Sequence, residues 1–429
     1  MENPKPKKKE FNTILLYLLI GLMILTGSTN TIATKIQTRL TGLGVLYEQH
    51  QWFITYGMFI GEMFSLIGYL VYIIKKRQKV KAQINDDQLI DNGETDTGKH
   101  EHEEEKPEAS NFIFASTAMC DLCATTLNTF GLTYLSSSIY QMFRGFELLF
   151  IMLFSKIFLK NKIYRHHILG VGSVILGLFF VGLTAVIYKS DTAGESKSPF
   201  AGMAFLFCAQ FFSSTQYTIQ EKLVKAYSVN SFQLVGFEGL WGATIYTIML
   251  VVFQQVDCSG WSESLQAFCI KNEKGEWHLE DALFAFRQMG DNHVLLGIVI
   301  LHVTSIALYN FVGINLTQLV SSTARAIVDT VRTVFVWLFF LIPWDLGIDG
   351  IREYFYVLQF FGFILLISGT IIYNEIIELK FCGLDKYTRT QIAKREKEGI
   401  PENDEEKDNR LFRESDTTGT QEPEKPTNE

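Results

Sequence analysis

The sequence lacks the short motifs that mark most enzymes and pumps. It has no glycine-rich nucleotide-binding loop, no Ser/His/Asp order and no specific metal-ligand spacing. An ATP-driven pump is therefore unsupported, and we expect neither an enzyme nor a bound cofactor or metal. A basic surface for nucleic acid is also missing. The run Lys5–Lys9 adjoins an apolar segment, which favours a cytosolic anchor beside a membrane.

Charged residues are also scarce. Asp, Glu, Lys and Arg make up 20% of the 429 residues, whereas 48% are hydrophobic. The charges are confined to a few blocks, and the apolar runs between them are about 20 residues long, enough to cross a bilayer. Alternating period-two strands are not seen, so we predict an all-α polytopic membrane protein rather than a barrel. Hydropathy predicts ten transmembrane helices, at residues 11–33, 52–74, 111–133, 138–158, 166–188, 200–220, 233–254, 294–316, 320–342 and 356–377.

Lysine and arginine set the predicted orientation. They are concentrated at the N-terminus, after the second, fourth and sixth spans, and after the tenth. Because cytosolic loops carry the excess of these residues, both termini should be cytosolic. The segment 1–10 is then a cytosolic N-terminus. The polar, acidic segments 82–108 and 378–429 are predicted to be a disordered cytosolic loop and tail.

The long loop 255–293 falls on the opposite, lumenal side. It contains Cys258 and Cys269, and an oxidising lumen would allow a disulfide between them. The loop ends in the stretch Leu279–Arg287, whose amphipathic pattern predicts a short helix on the membrane surface.

The two halves of the chain resemble each other. The segment that opens the fourth span matches the segment that opens the ninth, 185 residues later. In this alignment Arg144 falls on Asp329. Glu147 falls on Arg332, so charges recur at both positions with the opposite sign. The short links before these two segments are candidate gates, with simple turn chemistry as the alternative.

A second match joins the first span to the sixth. It places Lys35 on Glu221, 186 residues later, which is another reversal of charge. Five spans is an odd number, so the second copy must enter the membrane from the opposite side. We therefore predict two inverted five-helix repeats, at 11–188 and 200–377. This arrangement is typical of secondary transporters, whose substrate site lies between the repeats near the midplane.

Charged residues inside the predicted spans are energetically costly and are candidates for function. The alternative is that they form ion pairs that hold helices together, such as Arg144 with Asp329. We assign Glu147 and Arg332 to such structural pairs. Together with Arg325, the two key helices carry three cations against two acids, which favours an anionic group on the ligand.

Two sets of polar residues are proposed as sites, and packing hydrogen bonds are the alternative for both. The predicted substrate cavity consists of Asn30, Gln141, Arg144, Gln216, Asn310, Arg325 and Asp329. The candidate proton-coupling residues are Glu62, Asp121 and Glu238. His302 is interpreted as a lone polar residue near the membrane interface.

Several segments also resemble the drug/metabolite transporter superfamily, and within it subfamily F of solute carrier family 35. They are Gly21–Lys35, Gly57–Glu62, Cys120–Asp121, Gln141–Gly145, Gly236–Gly242, Leu279–Leu283, Ser321–Trp337 and Gln359–Asn374. The resemblance covers all ten spans and the long loop. It implies a ten-helix inverted-repeat fold, a central cavity and alternating access, without fixing the substrate.

The leading hypothesis is a secondary solute transporter in a lysosomal, vacuolar or other endomembrane. Its substrate would be a nucleotide sugar or another small organic solute, and its partners the lipid bilayer and, as a candidate coupling ion, the proton. The alternative is a non-transporting membrane scaffold or adaptor that acts through its cytosolic tails.

Overall fold

A computed structural model describes most of the chain. It covers residues 13–90, 107, 109–159, 164–188, 199–261, 266, 268–272, 274–342, 354–373, 388 and 391. The predicted N-terminal segment 1–10, most of the 82–108 loop and nearly all of the 378–429 tail lie outside these ranges. Within them the chain forms thirteen α-helices and two short hairpins.

The helices occur in the following order along the chain. They are α1 (Thr13–Arg39), α2 (Gln51–Met63), α3 (Ser65–Ile90), α4 (Phe114–Tyr134), α5 (Ser137–Phe143), α6 (Phe146–Leu159), α7 (Arg165–Ile187), α8 (Pro199–Ala226), α9 (Ser231–Phe253), α10 (Ala282–Asp291), α11 (His293–Leu319), α12 (Ser322–Leu341) and α13 (Val357–Tyr373). The strands are β1 (Thr41–Gly42), β2 (Val45–Leu46), β3 (Ile270–Lys271) and β4 (Trp277–His278), paired β1–β2 and β3–β4.

Each of the ten predicted spans overlaps one helix or one helix pair. Among the described residues, five segments are long and apolar enough to cross a bilayer: Ile14–Arg39, Gln51–Lys79, Arg165–Ile187, Ser231–Phe253 and His293–Leu319. Helix α13 is apolar but shorter. The chain is therefore a mostly helical protein with several apolar helices, as expected for an all-α membrane protein.

Helix α12 is not one of these five segments, but the distribution of its exposed residues is that of a membrane helix. Its charged residues Arg325, Asp329 and Arg332 are 1%, 4% and 2% exposed, whereas Phe335 is 53% exposed and Leu338 48%. A soluble protein has the reverse distribution. An apolar outer face and a polar inner face fit a helix that contacts lipid outside and polar partners inside.

The helix contacts occur in matching pairs. Helix α1 packs on α11, and α8 packs on α4; α6 packs on α8, and α12 on α1; α4 packs on α9, and α11 on α2. The pairs α2 with α9 and α7 with α13 complete the pattern. Exchanging α1 with α8, α2 with α9, α4 with α11, α6 with α12 and α7 with α13 leaves this set of contacts unchanged.

Helices α7 and α13 approach each other through glycines. A Cβ added to Gly170 would lie 2.7 Å from the carbonyl oxygen of Gly369, and one added to Gly177 would lie 2.6 Å from that of Gly362. These distances are shorter than any ordinary carbon–oxygen contact, so the two backbones are too close for larger residues. Small residues allow such close packing of membrane helices.

Gly177→Ala is expected to lower stability by about 1–3 kcal/mol, because the new methyl group must push the two helices apart. Gly172 lies on the same helix, and a Cβ added there meets nothing within 4 Å among the described residues. Gly172→Ala is therefore the matched control. Thermal unfolding of the two purified variants checks this, and equal unfolding temperatures would contradict the close approach.

One end of the bundle is covered by the β1–β2 hairpin and α10. The hairpin turns at Leu43 and Gly44, which have φ angles of 52° and 78°. Gln288 on α10 donates hydrogen bonds to the carbonyl oxygens of Gly42 and Val45, at 3.0 and 3.2 Å. The amphipathic helix predicted in the long loop thus begins at Ala282 and packs its buried side against the hairpin.

Buried polar contacts fix the same end. His50 Nδ1 lies 2.6 Å from Glu280 Oε1, with both side chains fully buried. Burial, together with the Glu280 carboxylate, raises the pKa of the Tyr47 phenol well above its usual range, so this group stays protonated. In the long loop a disulfide joins Cys258 to Cys269. The His50–Glu280 contact and the Gln288 hydrogen bonds therefore join the long loop to the hairpin region.

Several helices differ from the predicted boundaries: α1 ends at Arg39 and α8 at Ala226, each six residues beyond its predicted span, and the second predicted span is divided into α2 and α3. Helix α3 continues to Ile90, into the segment predicted to be disordered from residue 82. The sequence there has no glycine or proline and contains good helix formers. The fourth predicted span is broken between α5 and α6 at Arg144 and Gly145. There the backbone hydrogen bonds shorten to a spacing of three residues, from Gly145 N to Met142 O and from Glu147 N to Arg144 O.

Candidate functional site

A polar cavity of about 90 Å³ lies inside the helix bundle. Its walls come mainly from α1, α4, α8 and α11, with Met58 from α2, Tyr140 from α5, Arg144 just after α5, and Arg332 from α12. Its polar lining consists of Asn30, Thr31, Thr34, Asp121, Thr125, Asn128, Thr129, Arg144, Ser213, Gln216, His302, Asn310 and Arg332, with the hydroxyl-bearing rings of Tyr140, Tyr217 and Tyr309. At about 30 Å³ for each molecule, this volume corresponds to roughly three waters.

Asp329 is the centre of an ion-pair network beside the cavity. Its carboxylate lies 2.6 Å from Arg144 Nη2 and 3.0 Å from Arg332 Nη2, and it accepts a hydrogen bond from the Tyr309 hydroxyl at 2.5 Å. Arg332 also donates to the carbonyl oxygen of Gly27, at 3.1 Å. The network thus connects the α5–α6 break with α1, α11 and α12. Glu147 is a weaker partner, 3.9 Å from Arg144.

Arg325 forms a second, symmetric arrangement. Its Nη1 donates to Gln220 Oε1 at 3.0 Å, and its Nη2 donates to Asn310 Oδ1 at 3.2 Å. The amide nitrogen of Gln220 then donates to Glu238, at 2.8 Å, and that of Asn310 donates to Glu62. One guanidinium therefore orients two amides, and each amide points its N–H groups at a buried carboxylate.

Asp121 differs from the other two carboxylates predicted to carry protons. It lines the cavity, and only its Oδ1 is held, by the Thr125 hydroxyl at 3.0 Å. Its Oδ2, like Glu62 Oε2, has no hydrogen-bond partner within the described residues. Glu62 and Glu238 lie behind the amides of Asn310 and Gln220 and do not line the cavity.

His302 joins α11 to α1 in another part of the cavity wall. Its Nδ1 lies 3.0 Å from Asn30 Nδ2 and 2.9 Å from Thr34 Oγ1. The side chain is 6% exposed and lines the cavity. The interpretation of His302 as an interfacial residue was therefore wrong. Helix α11 begins at His293, nine residues earlier, so His302 lies well inside the bundle.

Two further buried charges lie at opposite ends of the helices that line the cavity. Lys35 Nζ donates to the carbonyl oxygens of Leu132 and Leu135, each at 3.1 Å, at the C-terminal end of α4. Glu221 accepts hydrogen bonds from the backbone N–H of Ser322, at 3.0 Å, and from its hydroxyl, at the N-terminus of α12. We name these the Lys35 contact and the Glu221 contact.

The helix ends explain the reversal of charge between Lys35 and Glu221. The C-terminal end of a helix presents unpaired carbonyl groups and partial negative charge, which suit a cation. The N-terminal end presents N–H groups and partial positive charge, which suit an anion. Lys35 and Glu221 therefore have the same role with opposite charge. Each binds a helix end beside a short link, Lys35 the C-terminal end of α4 and Glu221 the N-terminal end of α12.

Comparison with known proteins identifies the family. The sequence model of the EamA-like transporter family matches residues 13–183, and that of solute carrier family 35 matches residues 111–273. Solute carrier family 35 member F6 of Homo sapiens is 31% identical over 364 residues, which cover 83% of this chain and 88% of the human protein. The chain belongs to solute carrier family 35.

Other relatives agree with this assignment. Member F6 of Mus musculus is 29% identical over 388 residues, covering 89% of this chain and 94% of the mouse protein. An uncharacterized protein of Schizosaccharomyces pombe is 30% identical over 266 residues, covering 62% and 75% of the two chains. This member of solute carrier family 35 is therefore a multi-pass membrane protein of a solute-transporter family.

The structure places most of the residues of the predicted substrate cavity near one another. Asn30, Arg144, Gln216 and Asn310 line it. Arg325 and Asp329 lie behind the lining, in contact with Asn310 and Arg144. Gln141 is in α5, but its side chain lies outside the part of the chain that the structure describes. Tyr217 and Tyr309 also line the cavity but are not predicted to do so, because no sequence pattern distinguishes them from the other tyrosines. Arg325 lies 3.9 Å from the ring of Tyr217.

The predicted surplus of positive charge rests on two helices only. It counts Arg144, Arg325 and Arg332 against Glu147 and Asp329. In the structure Glu62, Asp121 and Glu238 belong to the same polar interior, because Gln220 and Asn310 connect two of them to Arg325 and the third lines the cavity. Five carboxyl groups therefore accompany three guanidinium groups.

Proposed function

We propose that this chain is a secondary transporter that moves a small organic solute across an endomembrane by alternating access. Its ten spans would form two inverted five-helix repeats that rock against each other. The matching helix contacts support this proposal, because exchange of the two halves leaves the set of contacts unchanged. An inverted repeat predicts that symmetry, and a scaffold has no need of it.

The observation that carries the proposal is the position of the polar cavity. It lies between the two proposed halves, and its lining residues come from both. Arg144 of the first half and Asp329 of the second meet beside it at 2.6 Å. A volume of about 90 Å³ is well below the roughly 300–1,000 Å³ of ligand sites, which fits an occluded conformation that must open to admit a solute.

The Lys35 and Glu221 contacts are proposed as the two gates. On the predicted orientation, with both termini cytosolic, the Lys35 contact closes the lumenal side and the Glu221 contact closes the cytosolic side. Each joins a lining helix to a short link of the same half, so opening a gate requires a helix to move within its own half. Alternating access then requires that one contact breaks while the other persists.

The charge of the interior bears on the substrate. A nucleotide sugar carries several negative charges, whereas the two arginines that line the cavity, Arg144 and Arg332, are already paired with Asp329, and Asp121 adds a carboxyl group to the lining. We therefore propose a small neutral or cationic organic solute rather than a nucleotide sugar. Lysosomal or vacuolar residence is proposed with it, because an acidic lumen would supply a proton gradient.

Asp121 is the proposed proton carrier, because it alone of the three candidate carboxylates lines the cavity. Asp121→Asn is expected to make uptake independent of an imposed pH gradient, whereas Cys123→Ser, two positions away on α4, should keep the dependence. Uptake by proteoliposomes with and without the gradient measures this. Wild-type uptake that ignores the gradient would contradict proton coupling.

The transport proposal is tested with the purified full-length protein. A library of small solutes is first screened for ligands that raise its unfolding temperature, since a ligand that binds only the folded state stabilises it. Radiolabelled hits are then offered to proteoliposomes. Uptake above that of protein-free liposomes is the expected result. Binding partners on the tails without any flux would favour the scaffold or adaptor instead.

A further inference from the structure

A second pocket, of about 660 Å³, opens between α3, the link from α8 to α9, and the last turns of α11. It shares no lining residue with the central cavity. Three cationic side chains of α3 line it, those of Lys76, Arg77 and Lys81, and all three are exposed. Among the described residues no carboxylate lines this pocket. The charge is therefore strongly one-sided.

The wall opposite these cations is the N-terminal end of α9 with the link before it. Helix α9 begins there, capped by Asn230, whose side chain accepts from the N–H of Phe232 at 2.9 Å. Ser231 and Gln318 bond to each other at 3.1 Å, and Gln318 also donates to the carbonyl oxygen of Val229 at 2.9 Å. A helix N-terminus facing a group of lysine and arginine side chains suits a phosphate group.

The pocket is also apolar on its membrane side. Tyr69, Tyr72 and Ile73 line it within two turns of Lys76. On the neighbouring face of α3, Leu70 is 58% exposed and Ile74 54%. A basic end beside an exposed apolar wall, with tyrosines between, is the pattern of the membrane interface. A lipid matches it, because its phosphate and its acyl chains meet at that depth.

The other half of the molecule shows that the fold alone does not require this opening. At the back of the pocket the rings of Phe232 and Phe311 stack at 4.1 Å. In the proposed repeat α9 and α11 correspond to α2 and α4, and between those two helices the rings of Trp52 and Phe130 pack at 5.1 Å. There Phe253 fills the adjacent space, 4.9 Å from Trp52. The first half is filled where the second is open and basic.

We propose that this pocket binds the phosphorylated headgroup of an anionic membrane lipid, with a phosphoinositide as the ligand class. Its acyl chains would lie along the exposed apolar face of α3. On the orientation proposed above, the site faces the cytosolic leaflet, where anionic lipids attract basic residues next to a membrane span. The site is independent of solute transport, so either proposal can fail without the other.

The test is a binding titration on the purified full-length protein in detergent. The probe is a phosphatidylinositol monophosphate, and native mass spectra give the fraction of protein that carries it. Lys76→Gln with Arg77→Gln is expected to weaken binding about tenfold or more, since each removes a cation from the phosphate. Phosphatidylcholine should bind to neither protein at these concentrations.

A matched variant and a soluble competitor make the result decisive. Lys75→Gln with Lys79→Gln removes the same charge from the same helix, and neither residue lines the pocket. It should leave binding nearly unchanged. Equal losses in the two double variants would reduce the effect to general charge attraction and overturn the site. Inositol phosphate or inorganic phosphate that displaces the lipid at equal concentration would overturn the lipid as its ligand.

Discussion

Asp329→Asn is expected to destabilise the folded protein by about 3–5 kcal/mol, the cost of leaving buried charges without their partner. The Asp329 carboxylate accepts from Arg144, Arg332 and Tyr309, and it is 4% exposed. An asparagine keeps the shape and loses the charge, so two buried guanidinium groups face a neutral side chain. Since whole proteins are stable by only about 5–15 kcal/mol, much of the purified variant should unfold or aggregate.

Arg144→Gln is the comparison that tests whether Asp329 is the shared partner. This change removes one of the three donors and leaves Asp329 paired with Arg332 at 3.0 Å. The expected loss is therefore clearly smaller than that of Asp329→Asn. Thermal unfolding and size-exclusion profiles of the two variants provide the measurement. Equal losses would mean that the contact at 2.6 Å between Arg144 and Asp329 accounts for the whole effect.

The same geometry predicts that a simple exchange of the pair fails. Arg144→Asp with Asp329→Arg restores opposite charges across the contact. It also places an aspartate three residues from Glu147 and an arginine three residues from Arg332, where like charges repel. Only the fourfold exchange, which adds Glu147→Arg and Arg332→Glu, gives each helix the charge pattern of the other. Its stability should exceed that of the double exchange.

The sequence predicted the helices well, because length and hydropathy are local properties. Each of the ten apolar runs overlaps a helix or a helix pair. The alignment of Arg144 with Asp329 also pointed to a meeting of these two residues. In the proposed arrangement, a twofold axis in the membrane plane would bring equivalent positions together wherever they lie close to that axis, which agrees with this contact.

The rotation of each helix was beyond such reasoning. Whether Glu238 faces Gln220 or lipid depends on packing against other helices, and no local pattern fixes it. The chain from Glu62 through Asn310, Arg325 and Gln220 to Glu238 is therefore not predicted, although Glu62, Asn310, Arg325 and Glu238 are all candidate site residues in the sequence. For this reason the count of charges on two helices leaves Glu62 and Glu238 out.

Lys35 shows the same limit. Its alignment with Glu221 was recognised as a reversal of charge, but the meaning of the sign needs the three-dimensional partners. Those partners are the last carbonyl groups of one helix and the first N–H group of another. A charge inside a span therefore had two explanations in the sequence, substrate contact or ion pair, and the structure supplies a third, contact with a helix end.

The second large effect concerns these two contacts. Lys35→Met and Glu221→Met are expected to shift the protein in opposite directions, toward lumen-open and cytosol-open conformations respectively. A hydrogen bond to a charged group contributes about 1.5–3 kcal/mol, so losing one contact should change the ratio of open to closed molecules about tenfold or more. Both variants introduce methionine, so they differ only in which contact, and which charge, is removed.

Accessibility of the cavity measures the shift. Ser213→Cys places a reporter in the cavity lining, on a background in which every cysteine outside the disulfide is replaced by serine. A membrane-impermeant thiol reagent is added to one side of sealed, oriented vesicles. Lys35→Met should speed labelling from the lumenal side and Glu221→Met from the cytosolic side. Lys225→Met, which removes the exposed partner of Glu221 and leaves Ser322 bound, should change neither rate. If both methionine variants speed labelling from the same side, the two contacts do not act as opposing gates, because each gate must control its own side.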